Sequence, residues 1–292
     1  MNEQVDVIVR FHDMARLPEL TRCVFSLAGQ SYRPLRIILA LQRFSAADIA
    51  ATRAALAPFL DDQPGVHLSV VNWELSAPAD ARSILLNLGV SIAQGRYVAF
   101  LDYDDVLYPE AYAMLVEQLK KSDAAIAFAS VRILKLEIYQ RYFYAASRVV
   151  PPYGGGANLA DLFRNNFCPL HSYVIDRGRL PADMLNFNSA LTLEEDYDVL
   201  LRICAALPSD FTLLGAEIGD YYYKTDGSNT VPVNGGLPSA VGLDRYRAIR
   251  AAIEHRKAST VVAPAVQKSL GLAAATDGLT IRQLIDRLPA GA

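Results

Sequence analysis

The stretch RYVAFLDYDDVLYP, residues 96–109, carries an apolar run straight into three aspartates, Asp102, Asp104 and Asp105. Its first part, RYVAFLD (96–102), is short and almost wholly apolar, which reads as a strand buried on both faces. The residues before it, RSILLNLGVSIAQ, have helical spacing. Further back the same alternation repeats. VDVIVR (5–10), LRIILAL (35–41) and HLSVVNW (67–73) read as strands. A helix with apolar Leu20, Val24, Phe25 and Leu27, and the Ala-rich AADIAATRAALAPFL, lie between them. Such alternation predicts an α/β fold, a mostly parallel sheet with helices on both faces. Ligands of these sheets bind at the carboxyl ends of the strands. Asp102 stands at one of those ends.

Past Pro109, EAYAMLVEQLKKS reads as a helix and AAIAFASVRIL as a strand. YQRYFYAASRVVPPYGGGANLADLF then leaves the alternation, and its Tyr, Pro and Gly content suits a mobile loop or a substrate-covering segment. HSYVIDR reads as another strand, and the second half of LTLEEDYDVLLRICAAL as a helix. EIGDYYYKTDGSNT closes the α/β part, and terminal helices with polar faces follow. The expected organisation is an α/β domain over residues 1–237 and a C-terminal helical extension over 238–292.

The chain has 292 residues, 52% of them hydrophobic, so it can bury a large core without disulfides. A net charge of -3 and the lack of any Lys/Arg-rich block argue against nucleic acid as a partner. Cys23, Cys168 and Cys204 are few and far apart, as expected for reduced, buried thiols rather than a disulfide frame or zinc site. No apolar run approaches the ~18 residues that span a bilayer, and the N-terminus has no secretory h-region. The chain reads as soluble and cytoplasmic.

Asp102 and Asp104, spaced i, i+2 at a strand end, suit oxygen ligation of one hard divalent cation. Acidic residues in a strand-to-helix turn also serve as caps, with Pro109 and Glu110 opening the next helix. The second cluster, Glu194-Glu195-Asp196, precedes a helix. It fits either a general base or favourable acidic charge at a helix N-terminus. The residues alone leave both pairs of readings open.

In combination, these segments resemble family 2 glycosyltransferases of the GT-A (Rossmann-like) fold. VDVIVRFHDMARLPELTRCVFSLAGQSYRPLRIILAL resembles that family's opening strand, polar loop, helix and second strand. NLGVSIAQGRYVAFLDYDDVLYPEAY resembles its segment ending in F-L-D-x-D-D, and EEDYDVLLRI its E-D-x-x-L-x-x-R pattern. The resemblance implies an inverting transfer of a sugar from a nucleotide diphosphate-sugar to a hydroxyl of a glycan or lipid-linked acceptor, with Mn²⁺ or Mg²⁺ as cofactor. It also implies a setting in bacterial surface glycan or polysaccharide synthesis, in the cytoplasm or peripheral at the inner membrane. UDP is favoured over GDP or dTDP as the donor nucleotide. Asp104 would be the main metal ligand and Asp102 would share the metal or reach the ribose, with Asp105 behind them. Asp196 would be the base, and Glu195 would orient the acceptor or the loop.

The chain departs from the family pattern at several points. Arg10-Phe11-His12-Asp13 replace the usual Pro-x-Tyr-Asn, giving a phosphate or base contact at Arg10 and an aromatic wall at His12. Leu41 and Gln42 stand where acids are usual, with Gln42 able to bond a base edge. An arginine is missing from Leu85-Leu86-Asn87, and Arg82 one turn earlier is the substitute facing the diphosphate. Tyr223-Lys224-Thr225-Asp226 replace Tyr-Arg-x-His, which puts Lys224 near a phosphate and offers Asp226 to the metal, unless Asp226 is simply part of a surface turn. Tyr103 joins the donor site by its place between the aspartates, and His171 is a candidate acceptor contact. Two other readings remain at this point: a nucleotide-sugar-binding module without catalysis, and a haloacid-dehalogenase-like phosphatase using the Asp-x-Asp motif.

Overall fold

A computed structural model of the chain describes residues 3–139, 142–150, 155–224 and 240–288. The four expected strands are β1 (Val5–Phe11), β2 (Leu35–Gln42), β3 (Val66–Trp73) and β4 (Tyr97–Asp102). They lie parallel in the order β3-β2-β1-β4. A two-residue strand β5 (Val106–Leu107) follows the aspartates, then β6 (Ile126–Tyr139), β7 (Tyr142–Val149), β8 (Tyr173–Asp176) and β9 (Ser209–Lys224). The short β8 inserts antiparallel between β4 and β6. β9 continues parallel to β6, and β5 closes the edge antiparallel to β9. The sheet is therefore parallel through its first half and mixed beyond β4.

Helices cover both faces because the strands send alternate side chains to opposite sides. Val7, Val9, Ala99 and Leu101 pack with α1 (Leu17–Ala28), α2 (Ala46–Leu60) and α4 (Ala111–Lys121). Ile8, Val98 and Phe100 pack instead with α3 (Arg82–Ile92), α5 (Leu159–Arg164) and α6 (Glu195–Ala206). Beyond this second layer lie α7 (Ala240–Ser259), α8 (Pro264–Ser269) and α9 (Ile281–Arg287). Ile249, Ile253, Val266, Ile281 and Leu284 join its core, so these helices bury an apolar stripe despite their polar outer faces. The three cysteines are free and buried.

One expectation is corrected. The segment read as a mobile loop or a substrate-covering segment contains regular strand: β6 runs on to Tyr139, and Tyr142–Val149 returns as β7, antiparallel to it. Tyr, Phe and Val favour a strand, and the Pro/Gly content begins only at Pro151. α5 then starts at Asn158, whose side chain accepts from the Asp161 N–H as an N-cap.

Gly95 shows how a single residue sets the entry to β4. Its N–H, with that of Gln94, donates to the fully buried Asp6 carboxylate. A Cβ at this position would run into the Gln4 carbonyl oxygen. Gly95→Ala is therefore expected to cost about 1–3 kcal/mol of stability through forced backbone movement, read as a lowered urea midpoint at unchanged slope.

Candidate active site

The carboxyl ends of β1, β2 and β4 open into a cavity of about 490 Å³. Arg10 and His12 line it from the first strand's end and Gln42 from the second. The loop before α3 contributes Asp80 and Arg82, and Asp102 to Asp105 form the floor beside Tyr221 and Tyr222. The crevice lies where the strand order reverses, between β1 and β4.

None of the three aspartates caps a helix: α4 begins at Ala111, with Glu110 at its N-cap. Each has a different partner. Asp102 is paired across the β1–β4 register with Arg10. Arg10 Nε donates to Asp102 Oδ1 at 2.6 Å, and Nη2 to Oδ2 at 3.1 Å. Burial pushes the Asp102 carboxyl up, but the guanidinium outweighs it and holds it below the usual carboxylate range. Asp104 accepts from Lys224 Nζ at 2.6 Å through Oδ2. Asp105 is buried, accepts the Tyr222 N–H at 2.8 Å, and lies 3.5 Å from His171 Nδ1. Burial, with Asp104 and Asp102 nearby, raises its pKa well above the usual value.

Arg10 also reaches the second acidic cluster, donating through Nη1 to Glu195 Oε1 at 2.5 Å. One guanidinium thus ties the end of β4 to the start of α6. Glu194 precedes that helix in the left-handed region at φ 55°, a strained conformation for a residue with a Cβ. Asp196 follows in the first turn, and its Oδ1 accepts the Tyr197 N–H at 2.8 Å. Burial foremost, and then Glu195, push the Asp196 carboxyl up to about 7. A carboxylate at such a value can take a proton near neutral pH.

Other expected site residues take varied places. Gln42 is anchored by its Nε2, which donates to the Ala79 carbonyl at 2.7 Å. Arg82 Nε pairs with Asp80 at 2.9 Å, and Arg245 from α7 pairs with the same carboxylate at 3.0 Å. His12 packs edge-on against Tyr103. Phe11 is wholly buried between Phe44 and Tyr103, so it supports the site from below. Asp13 faces away, accepting the Ala15 N–H in a short turn. His171, the candidate acceptor contact, lies beneath the cavity rather than on its lining. That side chain is 2% exposed, stacks on Tyr221 beneath Asp105, and is pushed by burial to about 4. Asp226 lies outside the described residues.

Sequence reading missed Arg22 and Asp80. Arg22 Nη2 donates to the Asp104 carbonyl at 2.9 Å, and its guanidinium lies between the Phe143 and Tyr222 rings at 4.4 and 4.7 Å. It fastens the Asp104 loop to the β6–β7 hairpin. No local signal marks it, because its partners are 82 or more residues away.

The resemblance implies a divalent cation, and the donor set can be tested for it. Both Asp102 oxygens are engaged by Arg10, and Asp104 is paired with Lys224. Asp105 is buried beneath them. Among the described residues no group of three His, Cys, Asp or Glu side chains converges as a metal site. As arranged, these carboxylates do not fit a resident Mn²⁺ or Mg²⁺.

Comparison with known proteins agrees with this architecture. No curated protein matches the chain significantly. Among solved structures, Staphylococcus aureus TarS 1-349 superposes with a TM-score of 0.57 at 11% identity, covering 91% of this chain and 68% of that one. The same protein in complex with UDP-GlcNAc gives 0.56 at 13% identity, covering 91% and 70%. The mannosyltransferase PcManGT from Pyrobaculum calidifontis, in complex with GDP-Man and Mn²⁺, gives 0.54 at 13% identity, covering 98% and 70%. Against a longer S. aureus TarS chain, at 14% identity and a TM-score of 0.54, the match covers 75% of this chain but only 37% of that one. These likenesses establish a shared GT-A fold. The model of glycosyl transferase family 2 matches residues 6–168. That span is more than half of the 292 residues, and the chain belongs to glycosyl transferase family 2.

Proposed function

We propose that the chain transfers a sugar, with inversion, from a nucleotide diphosphate-sugar donor to an acceptor hydroxyl. Residues 1–237 would form the transferase domain and 238–292 its helical extension. The observation that carries the reading is Asp196, a half-buried carboxyl pushed up to about 7, next in the chain to Glu195, which Arg10 ties to the Asp102 end of the cavity. Asp196 takes the proton of the acceptor hydroxyl as its oxygen bonds to the anomeric carbon. The bond from that carbon to the phosphate oxygen breaks, and the nucleotide diphosphate leaves with the electron pair. Arg82 at the cavity wall, and Lys224 behind it on Asp104, supply positive charge that offsets the charge developing on it. Gln42 and His12 border the space for the base, and Tyr103 and Asp102 that for the ribose.

UDP is the first expectation for the nucleotide, ahead of GDP and dTDP. The likeness to chains that hold UDP-GlcNAc and GDP-Man supports a diphosphate-sugar and leaves the base to experiment. A glycan or lipid-linked acceptor in bacterial surface polysaccharide synthesis is the setting proposed. No helix among the described residues is long and apolar enough to cross a membrane, which is compatible with work in the cytoplasm or at a membrane surface. The phosphatase alternative does not suit the arrangement. The Asp102 that would be its nucleophile ends the fourth strand and has both oxygens engaged by Arg10.

A thermal-shift panel of UDP, GDP, dTDP and their sugar conjugates tests the reading, since a ligand of the folded state raises Tm. At 100 times Kd the stabilisation is about 2.7 kcal/mol. One nucleotide diphosphate is expected to raise Tm by several degrees. If every nucleotide left Tm unchanged, with and without Mn²⁺, the donor assignment would be lost.

A further inference from the structure

Arg10, which stands where the family pattern has a proline, and Lys224, which stands where it has an arginine, are the two side chains that engage the Asp-x-Asp carboxylates. Arg10 donates through Nε, Nη1 and Nη2, all to carboxylates, with its side chain only 16% exposed. Lys224 is 4% exposed, with its ammonium on Asp104 Oδ2 and 5.8 Å from the Tyr103 ring. Resting on the donor reading above, we infer that these two side chains take the place of the divalent cation. A nucleotide diphosphate then binds, and departs after transfer, on charge carried by the protein itself.

The argument is one of charge. Two bare carboxylates facing a cavity repel a diphosphate, and a bound cation is one way to reverse that field. In this chain Asp104 is paired with Lys224, Asp102 shares Arg10 with Glu195, and Asp105 is buried away from the cavity's charge. The diphosphate therefore meets Arg82 at the cavity wall, beside an Asp104 whose charge Lys224 already offsets, without first requiring a metal. An ammonium is a compact point charge with three donors, well suited to phosphate oxygens. A cation entering at Asp104 would have to displace Lys224 from a nearly enclosed seat. One entering at Asp102 would have to displace Arg10, and Glu195 would lose the same partner.

Calorimetric titration of UDP, GDP and dTDP into the full chain, in EDTA and again in Mn²⁺, tests this without any acceptor. The expected result is binding in EDTA with a Kd within about twofold of that in Mn²⁺. Lys224→Met is expected to weaken binding in EDTA by about tenfold, while Lys224→Arg stays within about threefold of the parent. An unfolding transition like the parent's would show that the Met variant is folded. Binding that appears only with Mn²⁺ would overturn the inference and leave the transferase reading intact. So would a folded Lys224→Met that binds as tightly as the parent in EDTA. Binding under neither condition would remove the donor reading, and this inference with it.

Discussion

Asp196→Asn is expected to lower the rate of sugar transfer by about three orders of magnitude, while nucleotide affinity stays within about twofold. The amide keeps the shape and the hydrogen-bonding side-chain oxygen, so the Tyr197 N–H retains its acceptor. It cannot take a proton. Asp196 does not line the donor cavity, so donor binding has no reason to change. The parent should also show an acid limb in kcat/KM near pH 7, because the base acts only when ionised and burial with Glu195 raises its pKa to about 7. Activity should rise with pH through that value. A variant that transferred sugar at the parent's rate would remove Asp196 from the mechanism. Undiminished nucleotide binding beside lost transfer would also exclude a binding module without catalysis.

Arg10→Met is expected to destabilise the fold by about 3–5 kcal/mol, the usual cost of stripping the partner from buried ions. Two carboxylates lose it at once, Asp102 and Glu195. The sign of the pH dependence follows from Asp102. Its folded pKa is held low by Arg10, so its contribution is present above the ordinary carboxylate pKa and fades as pH falls through the depressed value. The difference between parent and variant should therefore be largest near neutral pH and become much smaller by about pH 2, below the depressed value. Urea unfolding at the two pH values measures it. An equal loss at both would mean that the methionine acts through packing rather than charge.

Much of the fold was legible because β1, β2 and β4 are continuous apolar runs, and such runs between amphipathic helices have one economical arrangement, a covered parallel sheet. The Asp-x-Asp at the end of β4 and the acidic start of α6 were legible for the same reason: element ends are local features. The hairpin of β6 and β7 was not. Every residue of β7 except Val149 is exposed, so no alternation of burial marked it as a strand. The burial of His171 was not legible either, because a histidine in a connecting segment carries no sign of it. Arg22 carried none either, since its role depends on two aromatic rings brought in by other strands.

The sequence by itself determined the family, the parallel half of the sheet and the two acidic clusters, since each is written in consecutive residues. Only the tertiary structure decided what the carboxylates do with their charge. Arg10 meets Asp102 because β1 and β4 are neighbours in the sheet, 92 residues apart in the chain. It meets Glu195 because α6 begins over the same strand ends, 185 residues away. Lys224 meets Asp104 because β9 ends beside the loop that follows β4. Ion pairing falls off within ångströms while sequence separation places no bound on it, so a motif can announce an acidic site without revealing which cations fill it.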